Sequence, residues 1–239
     1  MKTNKCLVTT LATILTFGAF AQTVDELVNK HIAALGGQDK LSSVKTLVLE
    51  RTISVQGMDI PSKSTLVVGK ALRSESSVMG NIMVQVVDGS TGWMIRPAMM
   101  GGSGDPEDMP AEVLKQQTDQ LDPFGPLVGY KEKGNQVELL GKEKLDGKDA
   151  YHLKITTKEG NVMEEYLNAD TYLVSKMKRG GIDGQPAEIT ISDYKDFDGI
   201  KFARSMEMAG GQMGTLTFTT DKVKVNEPID DKVFKKPVK

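Results

Sequence analysis

The feature that most constrains the fold of this chain is a long succession of short apolar segments of period two, separated by turn-forming pairs. From residue 46 to residue 225 these segments recur about every 8–12 residues, a spacing typical of strands in a sandwich or barrel. Asp88-Gly89, Asp146-Gly147 and Asp198-Gly199 stand between neighbouring segments, and Asp-Gly is a strong signal for a hairpin turn. Because short connections join antiparallel strands, the pattern predicts an antiparallel sheet.

The individual strands are indicated by runs of β-branched, aliphatic and aromatic residues between these turns. The predicted strands are 46–55, one that begins at 66–68, 78–87, 93–95, 137–145, 150–157, 162–167, 173–177, 187–194, 200–208 and 215–225. No repeat or flexible linker divides them, and the sequence therefore predicts one domain over 22–239.

Two helices interrupt the strand pattern. Thr23 and Glu26 form a capping-box pattern, and apolar residues at helical spacing follow to Leu35, before a Gly-Gly stop. A second, short helix is predicted over 111–121, where Pro110 fits its first position. The expected class is therefore α+β, mainly antiparallel β, with a curved sheet that forms an incomplete barrel under two covering helices.

Residues 1–21 are typical of a secretory signal peptide, with a basic start, an apolar run over 7–20 and an Ala19-Phe20-Ala21 cleavage pattern. An uncleaved anchor is the alternative, although the run is shorter than the ~20 apolar residues of a membrane span. Cys6 precedes the apolar run, so it does not fit the modified cysteine of a lipoprotein. Cleavage after Ala21 leaves 218 residues without cysteine and with a net charge of −4, because the leader carries two lysines and no acid. We expect a periplasmic protein.

Composition narrows the classes of function. The 30 basic and 32 acidic residues give a net charge of −2, which argues against nucleic-acid binding because that needs a basic patch. His31 falls in the apolar stripe of the first helix and is expected to be a core-edge residue with one hydrogen-bond partner. His152 lies on the polar side of its strand, where a solvated side chain is expected. No Gly-x-Ser-x-Gly elbow or phosphate-binding loop is present, so the sequence predicts neither an enzyme nor a cofactor, and a hydrolase would need a base beside a nucleophile.

Metal binding is not predicted. The acidic residues Asp105, Glu107 and Asp108 supply the oxygen ligands that calcium prefers, but their spacing matches no calcium loop and favours a solvated acidic loop. Zinc would need histidine or cysteine pairs at close spacing, and the sequence has none.

Arg51 has the same strand phase as Leu49 and Ile53. If that phase is unbroken, a cation faces the apolar side, where it needs a partner because an unpaired buried charge is costly. A ligand headgroup is one such partner. The alternative is a bulge or strand end that carries Arg51 out of the core.

Methionine is the unusual component, with 13 residues in the chain. One group lies in 79–109, and the second comprises Met206, Met208 and Met213. Flexible, polarisable methionine side chains suit a surface that adapts to varied apolar ligands. Ordinary filling of core gaps is the alternative, and a copper(I) site is a third interpretation because thioethers are soft ligands.

Several motifs carry a family resemblance. The stretch 88–97, Asp-Gly-Ser-Thr-Gly-Trp-Met-Ile-Arg-Pro, resembles the Asp-Gly-x-Thr-x-Trp-x-x-x-Pro motif of the LolA-like family of periplasmic lipoprotein carriers and lipoprotein-sorting proteins. The segments 24–44, 122–128, 192–195 and 233–237 are also similar to that family. The stretch 69–73 lacks the Arg-Pro pair that helps to close the lid in the carrier.

The resemblance implies an incomplete antiparallel barrel with a helical lid over an apolar cavity. It also implies a non-catalytic monomer that binds the acyl chains of lipids or lipoproteins, with envelope membrane proteins as further partners. An envelope interaction or structural protein with a filled interior is the alternative. Strand phase, the methionine segments and the family motifs together predict the cavity lining as Leu49, Arg51, Ile53, Met79, Met83, Trp93, Ile95, Met99, Met100 and Phe124. If Trp93 faces the cavity, its fluorescence should shift to the blue when an acyl ligand binds.

Overall fold

A computed structural model describes residues 22–180, 186–209 and 214–237. The predicted signal peptide and Met213 lie outside the described residues. Within them, 13 strands form one sheet, which is curved and unclosed. The strands are β1 Thr46–Val55, β2 Met58–Val67, β3 Ala71–Val78, β4 Asn81–Asp88, β5 Thr91–Ile95, β6 Pro106–Asp108, β7 Gln136–Leu145, β8 Lys148–Thr156, β9 Val162–Asn168, β10 Val174–Gly180, β11 Pro186–Phe197, β12 Ile200–Ala209 and β13 Thr215–Val225.

The sheet is antiparallel throughout, in the order β6-β5-β4-β3-β2-β1-β13-β12-β11-β10-β9-β8-β7. Strands that follow one another along the chain are neighbours, apart from β6 and β7. The first and last strands pair in the middle of the sheet. The prediction of an antiparallel, mainly β fold is confirmed.

The hairpin turns follow from local sequence. At the β7–β8 turn Asp146 and Gly147 have φ values of 48° and 80°, and at the β11–β12 turn Asp198 and Gly199 have φ values of 55° and 79°. Both central residues of each turn are therefore left-handed, as a type I′ turn requires. Gln56 and Gly57, with φ values of 50° and 76°, make a turn of the same kind between β1 and β2.

The prediction for the second and third strands is wrong. Residues 66–68 were expected to begin a strand, but β2 begins at Met58 and ends at Val67, and β3 then runs over 71–78. These two strands were missed because they are rich in serine, lysine and arginine and contain Pro61. They lack the apolar alternation by which a strand is recognised.

The first predicted helix is confirmed as α1, Val24–Leu35. Its capping box is complete, since Thr23 Oγ1 accepts from the backbone N–H of Glu26 at 3.2 Å and Glu26 Oε2 accepts from the N–H of Thr23 at 3.0 Å. At its C-terminal end Gly36, with φ 135°, lies so close to the carbonyl oxygen of Gly199 that a Cβ would clash with it. This contact holds α1 against the β11–β12 turn.

Two further helices are short. α2, Gln38–Ser43, was not predicted. The helix predicted over 111–121 is α3, Ala111–Thr118, continued by a 3-10 turn over Asp119–Leu121. None of the helices in the described ranges is long and apolar enough to cross a membrane.

The sheet has an inner and an outer face, each with its own core. The inner face carries Leu47 and Leu49 and packs against α1 in the larger cluster of buried residues. The outer face carries a smaller cluster on β3, β4 and β5, which is covered by Phe234 of a C-terminal 3-10 turn, Asp231–Phe234.

Candidate functional site

Part of the inner face has apolar side chains that the core does not enclose. Below it, towards α1, Leu47 and Leu49 are buried in the larger cluster. Beyond them, towards the β1–β2 turn, the inner face continues as a set of half-buried residues that belong to neither cluster of the described residues. We call these residues the open strip, and they are Ile53, Val55, Ile60, Leu216 and Phe218.

Strand register assembles the open strip from β1, β2 and β13. Ile53 is paired with Ile60 on one side and with Phe218 on the other, and Val55 is paired with Leu216. Directly paired residues place their side chains on the same face of a sheet. The five residues therefore form one contiguous apolar surface, although they are far apart in sequence.

Arg51 lies between the core and the open strip. Its side chain is half-buried, its Nε atom is fully buried, and this nitrogen has no hydrogen-bond partner among the described residues. Burial lowers the pKa of Arg51, as expected for a cation removed from water. No ion pair of Arg51 occurs in the described parts of the chain, so no carboxylate there balances this cation.

The residues paired with Arg51 are small and polar. On β2 its partner is Ser62, and on β13 its partner is Thr220, which is 1% exposed. Thr220 Oγ1 is also buried without a hydrogen-bond partner among the described residues. Ser76, paired with Ser62, is buried on the same face. Arg51, Ser62, Ser76 and Thr220, which we call the polar patch, therefore adjoin the open strip.

A β-bulge is present beside Arg51, but the extra residue belongs to the other strand. In the pairing of β1 with β13, Glu50 is opposite Lys222 and Arg51 is opposite Thr220, so Asp221 is skipped. The pairing of β1 with β2 runs through Arg51 without interruption. The phase of β1 is therefore unbroken, and Arg51 remains on the inner face with Leu49 and Ile53.

Four of the ten residues predicted to line the cavity lie together on this face. Leu49, Arg51 and Ile53 follow one another on β1, and Met83 on β4 is paired with Ser76. Phe124 belongs to the segment after α3, where its ring lies 6.0 Å from that of Phe202 and packs against the larger core.

Trp93 and Ile95 lie on the outer face. Trp93 is paired with Val86, and both are buried in the smaller cluster. The indole N–H of Trp93 donates to the backbone carbonyl of Phe234 at 2.8 Å, and the Arg73 guanidinium lies 5.5 Å from its ring. Strand phase unites Trp93 with Ile95, as the sequence indicates, but the pleat turns both away from the polar patch.

This position changes the expected fluorescence of Trp93, which is the only tryptophan. Because its ring is buried against Phe234 on the far side of the sheet, we expect blue emission already without ligand. An acyl ligand on the inner face should leave that emission unchanged. Titration of a ligand whose binding is measured independently checks this, and a blue shift at saturation would contradict the assignment of the open strip as the contact surface.

The three remaining predicted residues are methionines at the protein surface. Met79, in the β3–β4 turn, is 70% exposed, and Met99 and Met100, in a 3-10 turn over Ala98–Met100, are 56% and 48% exposed. The structure does not bring them to the polar patch. Met206 and Met208 on β12 are half-buried beside Phe218 and Leu216 of the open strip.

The histidines occupy two different structural positions. His31 is 3% exposed and its Nδ1 lies 2.8 Å from the carbonyl oxygen of Tyr172, which confirms the predicted core-edge residue with one partner. His152 was expected to be solvated, and this is wrong. Its ring is stacked on Tyr166 at 4.2 Å, and its two nitrogens lie 3.2 Å from Glu143 and 3.0 Å from Glu164. Tyr166 on the neighbouring strand covers the His152 ring. The alternation of polar and apolar residues along the strand of His152 does not predict this contact.

The acidic residues are used in ion pairs. Glu107 Oε1 lies 2.5 Å from Arg96 Nε, and Asp108 Oδ1 lies 2.8 Å from Lys236 Nζ. The described residues contain no group of three or more His, Cys, Asp or Glu arranged to hold a metal ion. Around His152 the two carboxylates lie at opposite ring nitrogens, so these groups do not converge on one point.

Two surface depressions lie away from the open strip. One, of about 470 Å³, is lined by residues of β8, β10 and β11 such as Lys148, Lys176 and Glu188. The other, of about 360 Å³, lies between Lys63, Arg73 and the C-terminal turn. Their charged linings do not suit an acyl chain.

The comparison with known structures shows the fold. The chain is similar to a LolA superfamily protein from Nitrosomonas europaea, with a TM-score of 0.59 and 13% identity over 90% of this chain and 99% of that one. It is also similar to a DUF1329 family protein from Desulfovibrio piger, with a TM-score of 0.58 and 15% identity over 89% of this chain and 97% of that one. A third similar structure is a Vibrio parahaemolyticus domain described as an outer-membrane lipoprotein-sorting protein. Its TM-score is 0.55 and its identity 16%, over 89% of this chain and 97% of that one. The chain thus has the LolA-like half-barrel fold.

The sequence comparisons add little about activity. The family that matches residues 128–238 is described only as “Uncharacterized protein”-like. No curated protein matches the chain.

Proposed function

We propose that this chain, which has the LolA-like fold, is a non-catalytic periplasmic protein that binds the acyl chains of lipids or lipoproteins. It is exported by residues 1–21, which are removed after Ala21, and residues 22–239 act as one domain and as a monomer. The acyl chain lies on the inner face of the sheet, along the open strip.

The observation that carries this proposal is the open strip itself. Ile53, Ile60 and Phe218 are half-buried large apolar residues in register across three strands. An isolated apolar residue at a surface needs no explanation, whereas a contiguous apolar patch marks a binding surface. Each CH₂ group that an acyl chain buries there contributes about 0.8 kcal/mol.

The fold supports the proposal. One protein of the same fold is described as a lipoprotein-sorting protein domain, and its identity to this chain is low. Fold alone does not assign function, so the case depends on the open strip. The half-buried Met206 and Met208 beside it give the surface side chains that adapt to different chains.

We expect protein purified from a periplasm to carry lipid, because transfer of an acyl chain from water to the open strip is favourable. Native mass spectrometry followed by lipid extraction measures the bound species. Ile53→Glu should reduce bound lipid several-fold, since a carboxylate in the strip is costly to bury. The matched control is Ile82→Glu, which replaces an isoleucine 62% exposed outside the strip and should retain the lipid.

The second candidate function is that of an envelope interaction or structural protein. The observation that favours it is the filled lower part of the inner face, where α1 and Leu127 are buried in the larger cluster. The smaller cluster around Trp93 is also filled. The test is whether the purified protein carries lipid and whether it binds acyl compounds after delipidation. A protein that does neither would support this candidate and contradict the carrier.

A further inference from the structure

Unsatisfied buried polar atoms mark one place in the sheet. Buried polar groups in native proteins are nearly always hydrogen-bonded, so each exception needs an explanation. The described residues contain three such side-chain atoms: Gln22 Oε1, Arg51 Nε and Thr220 Oγ1. Arg51 and Thr220 are directly paired across β1 and β13 on the inner face. Two of the three exceptions therefore lie side by side, and both can donate a hydrogen bond.

We propose that the polar patch binds the anionic headgroup of a single-chain acyl amphiphile, a carboxylate or a phosphate, while its chain lies along the open strip. The inference rests on the proposed function and names the chemical class of its ligand. Arg51 donates to the oxyanion through its planar fork of N–H groups, and the Thr220 hydroxyl donates beside it.

The chemistry of the patch suits an oxyanion. A guanidinium matches the geometry of carboxylate and phosphate and binds them with two parallel hydrogen bonds. Ser62 and Ser76 stand on the adjoining strands of the same face and supply hydroxyl donors. A neutral headgroup would leave the guanidinium without a counter-charge in an apolar setting, which is the costly state.

The charged residues of β1, β2 and β3 do not compete for this position. Glu50, Lys63 and Glu75 alternate with Arg51, Ser62 and Ser76 along their strands, so they project from the opposite face. Ser64 and Ser74, one step closer to the core, lie 3.1 Å apart and bond to each other. On β12, Arg204 shares the inner face with Met206 by alternation, and it is already ion-paired with Asp193 at 3.1 Å. Among β1, β2 and β13, the anion therefore meets Arg51 as the one cation on this face, together with several hydroxyls.

The arrangement also fixes the orientation of the ligand. Arg51 lies at the core end of the open strip, and Val55 lies at the end nearest the β1–β2 turn. They are four residue steps apart on β1, a length of roughly 13 Å at ~3.3 Å per step. The headgroup is thus inside and the chain points towards the turn, which favours a single-chain ligand over a bulky two-chain lipid.

Displacement of the neutral fluorescent probe N-phenyl-1-naphthylamine from delipidated protein tests the proposal. Three ligands with the same palmitoyl chain are compared: palmitate, palmitoyl-lysophosphatidylglycerol and the uncharged monopalmitoylglycerol. Arg51→Gln should weaken binding of the anionic ligands by about 10–100-fold, the range for a lost hydrogen bond to a charged group. It should leave monopalmitoylglycerol unchanged.

Two further variants sharpen the result. Thr220→Val keeps the shape of the side chain and removes the hydroxyl, and it should weaken only the anionic ligands, by less than Arg51→Gln. Arg179→Gln is the matched control, because Arg179 is exposed on β10, three strands from β13, and belongs to neither the polar patch nor the open strip. It should change no affinity.

The outcomes separate the two proposals and the two sources of the anion. An effect confined to palmitate assigns a carboxylate, and an effect confined to the lysophospholipid assigns a phosphate. If all three ligands bind and Arg51→Gln changes none of them, or weakens all equally, the headgroup inference is overturned and the acyl-chain proposal stands. If no ligand displaces the probe from the wild-type protein, both are overturned.

Discussion

Replacing Arg51 by methionine is expected to stabilise the ligand-free protein and to abolish its preference for anionic ligands. An unsatisfied buried polar group costs about 1–3 kcal/mol, and more when it is charged. Methionine retains an apolar side chain on the same face as Leu49 and Ile53, while it removes the guanidinium, whose Nε is buried without a partner among the described residues. At about 2–4 °C per kcal/mol for a protein of 150–250 residues, the melting temperature of the delipidated variant should rise by several degrees.

Thermal unfolding of delipidated wild-type and variant protein measures this effect. Arg179→Met is the matched control, since Arg179 is exposed on β10, and surface substitutions usually stay within about 0.5 kcal/mol. A lower melting temperature for Arg51→Met would show that the guanidinium has a stabilising partner. An added anionic ligand should reverse the order, because it stabilises only a protein that binds it.

A site that destabilises the empty protein is a sign of function. Natural sequences satisfy local and tertiary preferences together, and they depart from this mainly where a function requires it. Arg51 departs in this way, since its neighbours on β1, Leu49 and Ile53, are apolar. The sequence therefore indicates the residue, and the structure adds that neither β2 nor β13 supplies a counter-charge.

The elements with strong local signals were predictable. The Asp146-Gly147 and Asp198-Gly199 turns need two left-handed residues, and Thr23 with Glu26 caps α1 by contacts within one turn. Each depends on residues close in sequence. β2 and β3 were missed for the opposite reason, because the hydroxyls of Ser62 and Ser76 stand where a core strand would carry aliphatic side chains.

The site could be predicted only in part. The phase of β1 places Leu49, Arg51 and Ile53 together, since alternation within one strand is a local property. Which residues stand beside them depends on the pairing of β1 with β13, a strand far away in the sequence. This pairing brings Thr220 to Arg51 and Phe218 to Ile53. The open strip thus includes Leu216 and Phe218, which the sequence did not indicate. Their period-two spacing on β13 is a usable signal once that strand is known to join β1.

The position of Trp93 shows a second limit. The sequence motif places Trp93 on β5, but it does not indicate which element packs on each face of the sheet. The C-terminal turn brings Phe234 onto the outer face, 141 residues away in sequence, and closes a separate small core around the indole. When both faces of a sheet are packed, apolar residues point to either face. An apolar residue in the sequence therefore does not identify the face that binds the ligand.

Glu165 provides the second large expected effect, in the pH dependence of stability. It lies on β9, 3% exposed, between Leu153 on β8 and Met177 on β10. Burial is the main cause that raises its pKa to about 7; the charge of Asp122 adds to the rise and that of Lys133 opposes it. Nearby Tyr194 is half-buried and its pKa is raised as well, so its hydroxyl stays neutral in this range.

The sign of the effect follows from the raised pKa. The folded protein favours the protonated carboxyl, so the contribution of Glu165 to stability is fully present below its unfolded pKa of about 4.3 and is lost as the pH rises through about 7. The difference between a pKa of about 4.3 and one of about 7 corresponds to roughly 3–4 kcal/mol. Glu165→Gln, which stays neutral, should therefore be more stable than the wild type by about this amount at pH 8 and nearly equal to it at pH 4.5.

Urea unfolding of both proteins at several pH values between 4.5 and 8 measures the difference. His31 also titrates in this range, and since burial lowers its pKa, its stabilising contribution is lost as the pH falls, the opposite direction. Because His31 is present in both proteins, the difference between them isolates Glu165. Glu207→Gln, at an exposed position on β12, is the control and should show no such dependence. The stability difference between Glu165→Gln and the wild type could instead be the same at pH 4.5 and pH 8. That result would mean that the carboxyl remains ionised in the folded protein, paired with Lys133.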